Sequence, residues 1–230
     1  MSPLAVLAGE ITACRRCPRL IAHCEEVARI KRRAYREWEY WGKPVPSFGD
    51  TEARLLIVGL APGAHGANRT GRVFTGDRSG EFLYRVLHRT GFASQSTSEH
   101  RDDGLYLKSV YITAAIHCAP PDNKPAPDEI RACRGYLERE LDLLTNVRVV
   151  VALGKVAFDV YLGILRDRGI IQSAAALAFA HAAEHRVAKG QPVLLASYHP
   201  SQQNTQTGRL TEDMFTAVFE RAREVMEGRG

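Results

Sequence analysis

An apolar run at residues 55–58 gives way within four positions to a long loop that cannot continue a strand, and this junction limits the possible fold more than any other stretch. Residues 59–77 read G-L-A-P-G-A-H-G-A-N-R-T-G-R-V-F-T-G-D. Pro62 has no N–H to give to a β-ladder. Gly63, Gly66, Gly71 and Gly76 let other groups approach the backbone closely. The loop carries His65, Asn68, Arg69, Arg72 and Asp77, with one aromatic side chain, Phe74. Open α/β sheets place ligand sites where a strand ends in such a loop. A nucleotide P-loop would need Lys-Ser/Thr after its last glycine, and a dinucleotide fingerprint would need G-x-G-x-x-G; neither is present. The residues describe an anion- or base-accepting loop, or a plain reversal of the chain at the surface.

The rest of the chain alternates strand and helix. Strands are predicted at 54–60, 110–117, 147–153 and 193–198, and helices at 78–90, 127–144, 155–165 and 211–226. Phe82, Leu83, Val86 and Leu87 give the first of these helices its period, and Pro127-Asp128-Glu129 opens the second with proline and acids in its first turn. Alternation of this kind implies a parallel sheet with helices on both faces. The loops 59–77, 118–127 and 199–208 then share the edge formed by the strands' C-terminal ends, which argues for one site built from all three.

At 230 residues the chain suits one domain, 1–230, with a basic helical addition at about 1–45. Residues 3–41 look helical and include Arg15, Arg16, Arg19, Arg29, Lys31, Arg32, Arg33 and Arg36, with Tyr35, Trp38, Tyr40 and Trp41. Basic side chains beside aromatic rings suit a nucleic-acid surface, and equally a solvated helix face packed over its aromatics. The net charge of +5 points mildly the same way as the first reading. No window reaches the roughly 18 apolar residues of a membrane span; the alanine-rich stretch at 173–183 is too short. No signal pattern opens the chain, so a cytoplasmic protein acting as a monomer, with no membrane association, is expected.

The five cysteines are Cys14, Cys17, Cys24, Cys118 and Cys133. Without an export signal a disulfide framework is not expected. The C-x-x-C at 14–17 and the pair flanking a proline-rich loop can converge on one metal site, and four thiolates suit either zinc or an iron–sulfur cluster. The second close C-x-x-C of a zinc ribbon is missing. Cys24 has no near partner and reads as a buried thiol.

The 59–77 loop, the stretch C-A-P-P-D-N-K-P from Cys118 and the stretch H-P-S-Q-Q-N-T-Q-T-G-R-L-T from His199, taken with the cysteines, resemble the family 5 (UDGb-type) uracil-DNA glycosylases of bacteria and archaea. The resemblance runs from Cys14 to about Met214. It implies a three-layer α/β/α sandwich around a four-stranded parallel sheet. It implies excision of uracil, and of other deaminated bases, from double-stranded and single-stranded DNA to begin base-excision repair. It also implies a structural 4Fe–4S cluster held by Cys14, Cys17, Cys118 and Cys133, pinning the N-terminal helices. Other branches of the superfamily carry a catalytic carboxylate or a base-reading asparagine at motif positions that here are Leu60, Ala61 and Ala114. Family 5 lacks those groups too, which agrees with the assignment and broadens the expected substrate range.

A glycosylase must extrude its nucleotide and cleave through an oxocarbenium-like transition state. It needs a donor at the base oxygen, a negative charge near the sugar and a held water. On this resemblance Phe74 stacks on the base and His199 donates to its carbonyl. Asp77 orients the water or acts as general base, caps the helix from Arg78, or does both. Ala61 and Gly63 line the base site, His65 and Asn68 orient the base or its flanking phosphate, and Asn123 contacts the base or the loop backbone. Arg69, Arg72, Ser201 and Arg209 contact DNA, and Leu210 is the apolar tip of a loop at 202–210 that enters the duplex, or else an ordinary connection residue. Two other readings stay open: a metal-stapled nucleic-acid binding module, which would need no Asp77–His199–Phe74 pocket, and an iron–sulfur electron carrier.

Overall fold

The computed structural model describes residues 2–229; Met1 and Gly230, the ends of the expected domain, lie outside the described residues. In chain order the elements are α1 (Pro3–Thr12), α2 (Pro18–Ile30), β1 (Phe48–Gly49), β2 (Leu55–Gly59), α3 (Ala67–Thr70), α4 (Arg78–Arg89), β3 (Val110–Ala114), α5 (Pro127–Leu143), β4 (Val149–Leu153), α6 (Lys155–Asp167), β5 (Glu184–His185), β6 (Val193–Ser197), α7 (Gln202–Gln206) and α8 (Glu212–Met226). The sheet runs β1-β3-β2-β4-β6-β5. Its centre is the expected four-stranded parallel sheet, with Ile57 opposite Ile112 and Val151, and Val151 opposite Leu195. Two antiparallel edge strands make it six-stranded, which corrects the count of four.

Every residue of the four central strands is buried, because helices cover both faces. Alternate side chains sort to opposite layers. Leu55, Ile57, Val110, Ile112, Val149 and Val151 face α4 and α8, where Leu83, Tyr84, Phe215 and Phe219 fill the space. Leu56, Val58, Tyr111, Val150 and Ala152 face the opposite layer of Leu4, Leu137, Phe158 and Tyr161, from α1, α5 and α6. These are the three layers of an α/β/α sandwich. No helix is long and apolar enough to cross a membrane among the described residues.

The N-terminal segment is two helices and a short 3-10 turn (Arg33–Tyr35), not one helical stretch to residue 41. Pro18 begins α2 directly after the Cys14–Cys17 turn, so the C-x-x-C sits between helices. The 202–208 stretch, expected as loop, holds the five-residue helix α7, capped by the Ser201 hydroxyl, which accepts from the Asn204 N–H at 3.3 Å.

Candidate active site and cysteine cavity

β2, β3 and β6 run parallel, so the loops that follow them open at one edge of the sheet. The first and third of these loops meet there. The Phe74 and His199 rings lie 5.9 Å apart between centroids and 30° from coplanar. Phe74 reaches this place with φ +51°, a left-handed conformation that is costly for a bulky side chain. Its ring covers Gly59 at the end of β2, where a Cβ would come within 2.9 Å of the ring edge. Gly154, after β4, approaches His199 from the other side: a Cβ there would lie 3.5 Å from the His199 Cβ. The His199 carbonyl is held by the Asn204 side-chain amide at 2.9 Å. Burial pushes the His199 imidazole down to about 4, so it is neutral at physiological pH.

Asp77 is the N-cap of α4, and its Oδ1 accepts the Gly80 N–H at 2.9 Å. Its other oxygen lies against the Gly63–Gly66 turn. A Cβ on Gly63 would stand 2.6 Å from Oδ2, and one on Gly66 would collide with it outright. These two glycines are therefore what lets the carboxylate sit against the loop. Burial raises the Asp77 carboxyl above its ordinary range, opposed by the Gly80 and Ser79 N–H groups and by the positive charge of Arg69.

The remaining candidates divide by exposure. Ala61 and Ala64 are partly exposed and pack beside Ile116 and Cys118. His65 is partly buried, its Nδ1 3.1 Å from the Tyr40 hydroxyl; burial and then Arg32 hold its imidazole below the usual range. Asn123 is exposed with φ +56°. Arg209 is exposed and lies over the Tyr198 ring at 4.5 Å, beside His199. Ser201 is partly exposed and spends its hydroxyl on capping.

Four expectations need correction. Leu210 is 0% exposed in the core, its N–H bonded to the Asn204 carbonyl at 3.0 Å, so it is not a tip that can enter DNA. Asn68 is fully buried and donates to the Cys24 and Ala64 carbonyls, away from any base. Arg72 is 3% exposed; it grips Asp103 through two bonds of 2.8 and 2.7 Å, and is not free for phosphate. Against the cost of burial, the Arg72 contact and the Leu105 and Glu99 N–H groups hold Asp103 down at about 2. Arg69, also 3% exposed, lies against the Tyr35 and Trp38 rings and is bonded to two carbonyls rather than open to DNA. The basic N-terminal run is partly neutralised as well: Arg15 pairs with Glu25, Arg19 with Glu129 and Arg29 with Glu26.

The family model described as "Uracil DNA glycosylase superfamily" matches residues 46–223, which takes in the whole sheet and all three loops. The chain belongs to the uracil DNA glycosylase superfamily. Within it, a type-5 uracil-DNA glycosylase of Thermus thermophilus is 54% identical over 94% of both chains. One from Mycobacterium bovis is 46% identical over 94% of this chain and 79% of its own. One from Pyrobaculum aerophilum is 44% identical over 93% and 89%. The chain is thus a member of the type-5 group.

This glycosylase-superfamily domain also holds a small cleft that neither Phe74 nor His199 lines. Cys14, Cys17, Cys118 and Cys133 all line this one narrow cleft, with Leu20, Ile116, His117 and Tyr136 around them. As they stand, no three His, Cys, Asp or Glu side chains among the described residues are placed to hold a metal ion. The donor set is nonetheless suited to iron or zinc: four thiols, one apolar cleft, and no carboxylate lining it. Burial pushes the Cys133 thiol up to about 12, and contact with Cys24 followed by burial pushes Cys118 higher still, so both need a cation to ionise. Cys24 is fully buried, as expected, but it is not without a partner: its thiol lies against Cys118.

Proposed function

We propose that this protein is a uracil-DNA glycosylase that hydrolyses the bond between C1′ and the base of an extruded deoxyuridine, beginning base-excision repair. The observation that carries the reading is the meeting of Phe74 and His199 beside the Asp77-capped helix, at the sheet edge where this fold places ligands. Phe74 stacks on the flipped base. The neutral His199 imidazole donates to the base oxygen as negative charge develops on the leaving group. Asp77 supplies negative charge to the sugar and holds the attacking water. Ala61, Gly63, His65 and Asn123 border the base. With Leu60, Ala61 and Ala114 offering no polar group to read uracil's edge, the same pocket accepts other deaminated bases. Ser201, Arg209 and the exposed Arg32, Arg33 and Arg36 face the phosphates of duplex or single-stranded DNA. The protein acts as a cytoplasmic monomer.

We infer further that Cys14, Cys17, Cys118 and Cys133 hold a 4Fe–4S cluster, whose contribution is a cross-link between the C-x-x-C turn before α2, the start of the β3–α5 connection, and α5. The support is the shared cleft together with the sequence resemblance.

Incubating the protein with a duplex carrying one uracil, then treating with alkali, should break the strand at that uracil; without alkali it should stay whole. Intact strand after alkali would overturn the glycosylase reading. Anaerobically purified protein should be brown, and Cys14→Ser should lose both the visible absorption and much of the soluble yield. A colourless protein holding one zinc per chain would replace the cluster while keeping its ligands.

A further inference from the structure

Arg69 occupies a position that neither DNA contact nor simple core packing explains. Its guanidinium carbon lies 3.9 Å from the centre of the Tyr35 ring and 4.0 Å from that of Trp38, so two aromatic faces hold one cation. Its Nε donates to the His65 carbonyl at 2.8 Å and its Nη2 to the Gly76 carbonyl at 2.7 Å. His65 stands four residues before Arg69 within the 59–77 loop, and Gly76 at its end, next to Asp77. The backbone around Arg69 is tied down separately: its carbonyl accepts the Trp41 N–H at 2.9 Å, and the Asn68 carbonyl accepts the Gly42 N–H at 3.0 Å. Gly76 is also held from outside, its N–H bonded to the Ser98 carbonyl at 2.9 Å. It has φ +80°, and a Cβ there would come 2.5 Å from Arg69 Nη2.

We propose that Arg69 is a positioning residue for the glycosylase reaction: a guanidinium caged by Tyr35 and Trp38 that ties the His65 turn to the Gly76 end of the catalytic loop and so fixes Phe74 and Asp77. The proposal rests on the glycosylase reading above. Phe74, two residues before Gly76, is in the left-handed region, and a residue held there persists only where its surroundings over-determine it. Arg69 supplies one such restraint through Gly76; the Tyr84 hydroxyl, bonded to the Val73 carbonyl at 3.1 Å, supplies another. The planar fork is essential, since it bonds two carbonyls at once while lying against two rings set at 83° to each other. A lysine ammonium offers the same charge without that geometry. The cage also gives the Tyr35–Trp38 segment a part in catalysis although it lies outside the sheet.

The test measures single-turnover cleavage of uracil-containing duplex and affinity for abasic-site duplex, for wild type, Arg69→Lys, Arg69→Ala and Trp38→Leu, with thermal melting of each. Arg69→Lys and Arg69→Ala should lose on the order of tenfold to a hundredfold in cleavage rate, the scale set by a small misplacement of reacting groups. Abasic-site affinity and its salt dependence should stay near wild type. Added guanidinium ion should restore part of the rate of Arg69→Ala, while methylammonium at equal ionic strength should not. Trp38→Leu should lose rate in the same direction. If Arg69 instead binds phosphate, Arg69→Lys keeps its rate and affinity, and Arg69→Ala loses about 0.9 from the log–log salt slope; that pattern overturns the proposal. So does a normal rate in Arg69→Lys. If Arg69→Ala does not fold, the Lys and Trp38→Leu rates decide. A wild-type protein that leaves uracil DNA intact refutes the glycosylase reading itself, whereas an active wild type with unaffected variants refutes only the role of Arg69.

Discussion

Replacing His199 by alanine is expected to lower single-turnover cleavage by at least about a hundredfold, the scale of one lost donor to a developing anion. The ring is partly buried against Phe74, and its nitrogens make no hydrogen bond within the described residues, so a donor stands free for substrate. Burial lowers its pKa from 6.5 to about 4. A group so depressed is neutral throughout the physiological range, and the N–H it offers does not come and go with pH near neutrality. The rate should therefore show no step at the ordinary histidine value of 6.5. Affinity for abasic-site duplex should change little, because phosphate contacts dominate it. His199→Gln, which keeps an N–H donor, should recover part of the lost rate. Full activity in His199→Ala, with its melting temperature unchanged, would move the leaving-group donor elsewhere.

The central sheet is legible because its strands are short apolar runs ended by proline, glycine or polar loops, and burial on both faces leaves them nothing to alternate with. The edge strands are not: Phe48–Gly49 and Glu184–His185 have two residues each, too few for any period, and form only because β3 and β6 offer unpaired edges. Phe74, Asp77 and His199 are legible as candidates because each stands in a loop after a strand, and parallel strands bring such loops together. Side-chain direction is a different matter. Leu210 reads as the apolar tip of a polar loop, yet α7 and the Asn204 carbonyl turn it into the core. Arg72 reads as a free cation in a DNA-facing loop, yet Asp103, about thirty positions on, neutralises it. Arg69 reads the same way, and its cage comes from Tyr35 and Trp38, which precede the sheet altogether. Charge and polarity in a motif mark where chemistry gathers, but burial decides which of those groups meet the ligand and which hold the loop that does.

Asp77→Asn is expected to cut cleavage on the order of a hundredfold, within the range for loss of a positioned base, while leaving the fold nearly as stable. The two effects separate because the two oxygens do different work. Oδ1 caps α4 through the Gly80 N–H, and asparagine caps a helix about as well as aspartate. Oδ2 lies over the Gly63–Gly66 turn and belongs to the chemistry: an amide there neither takes a proton from water nor offers charge to the sugar. Burial raises the carboxyl above 3.8; Glu81 raises it too, and the Gly80 and Ser79 N–H groups and Arg69 oppose them. The reaction needs the ionised form, so the rate should fall as pH drops through this raised value, above where an exposed aspartate would titrate. That acid limb should vanish in Asp77→Asn. Gly66→Ala gives an independent check, because its methyl occupies the place of Oδ2 without removing the charge or the residue. It should slow cleavage as Asp77→Asn does. If Asp77 is only a cap, Asp77→Asn cleaves at a near-normal rate, and the negative charge beside the sugar must then come from the DNA's own phosphates.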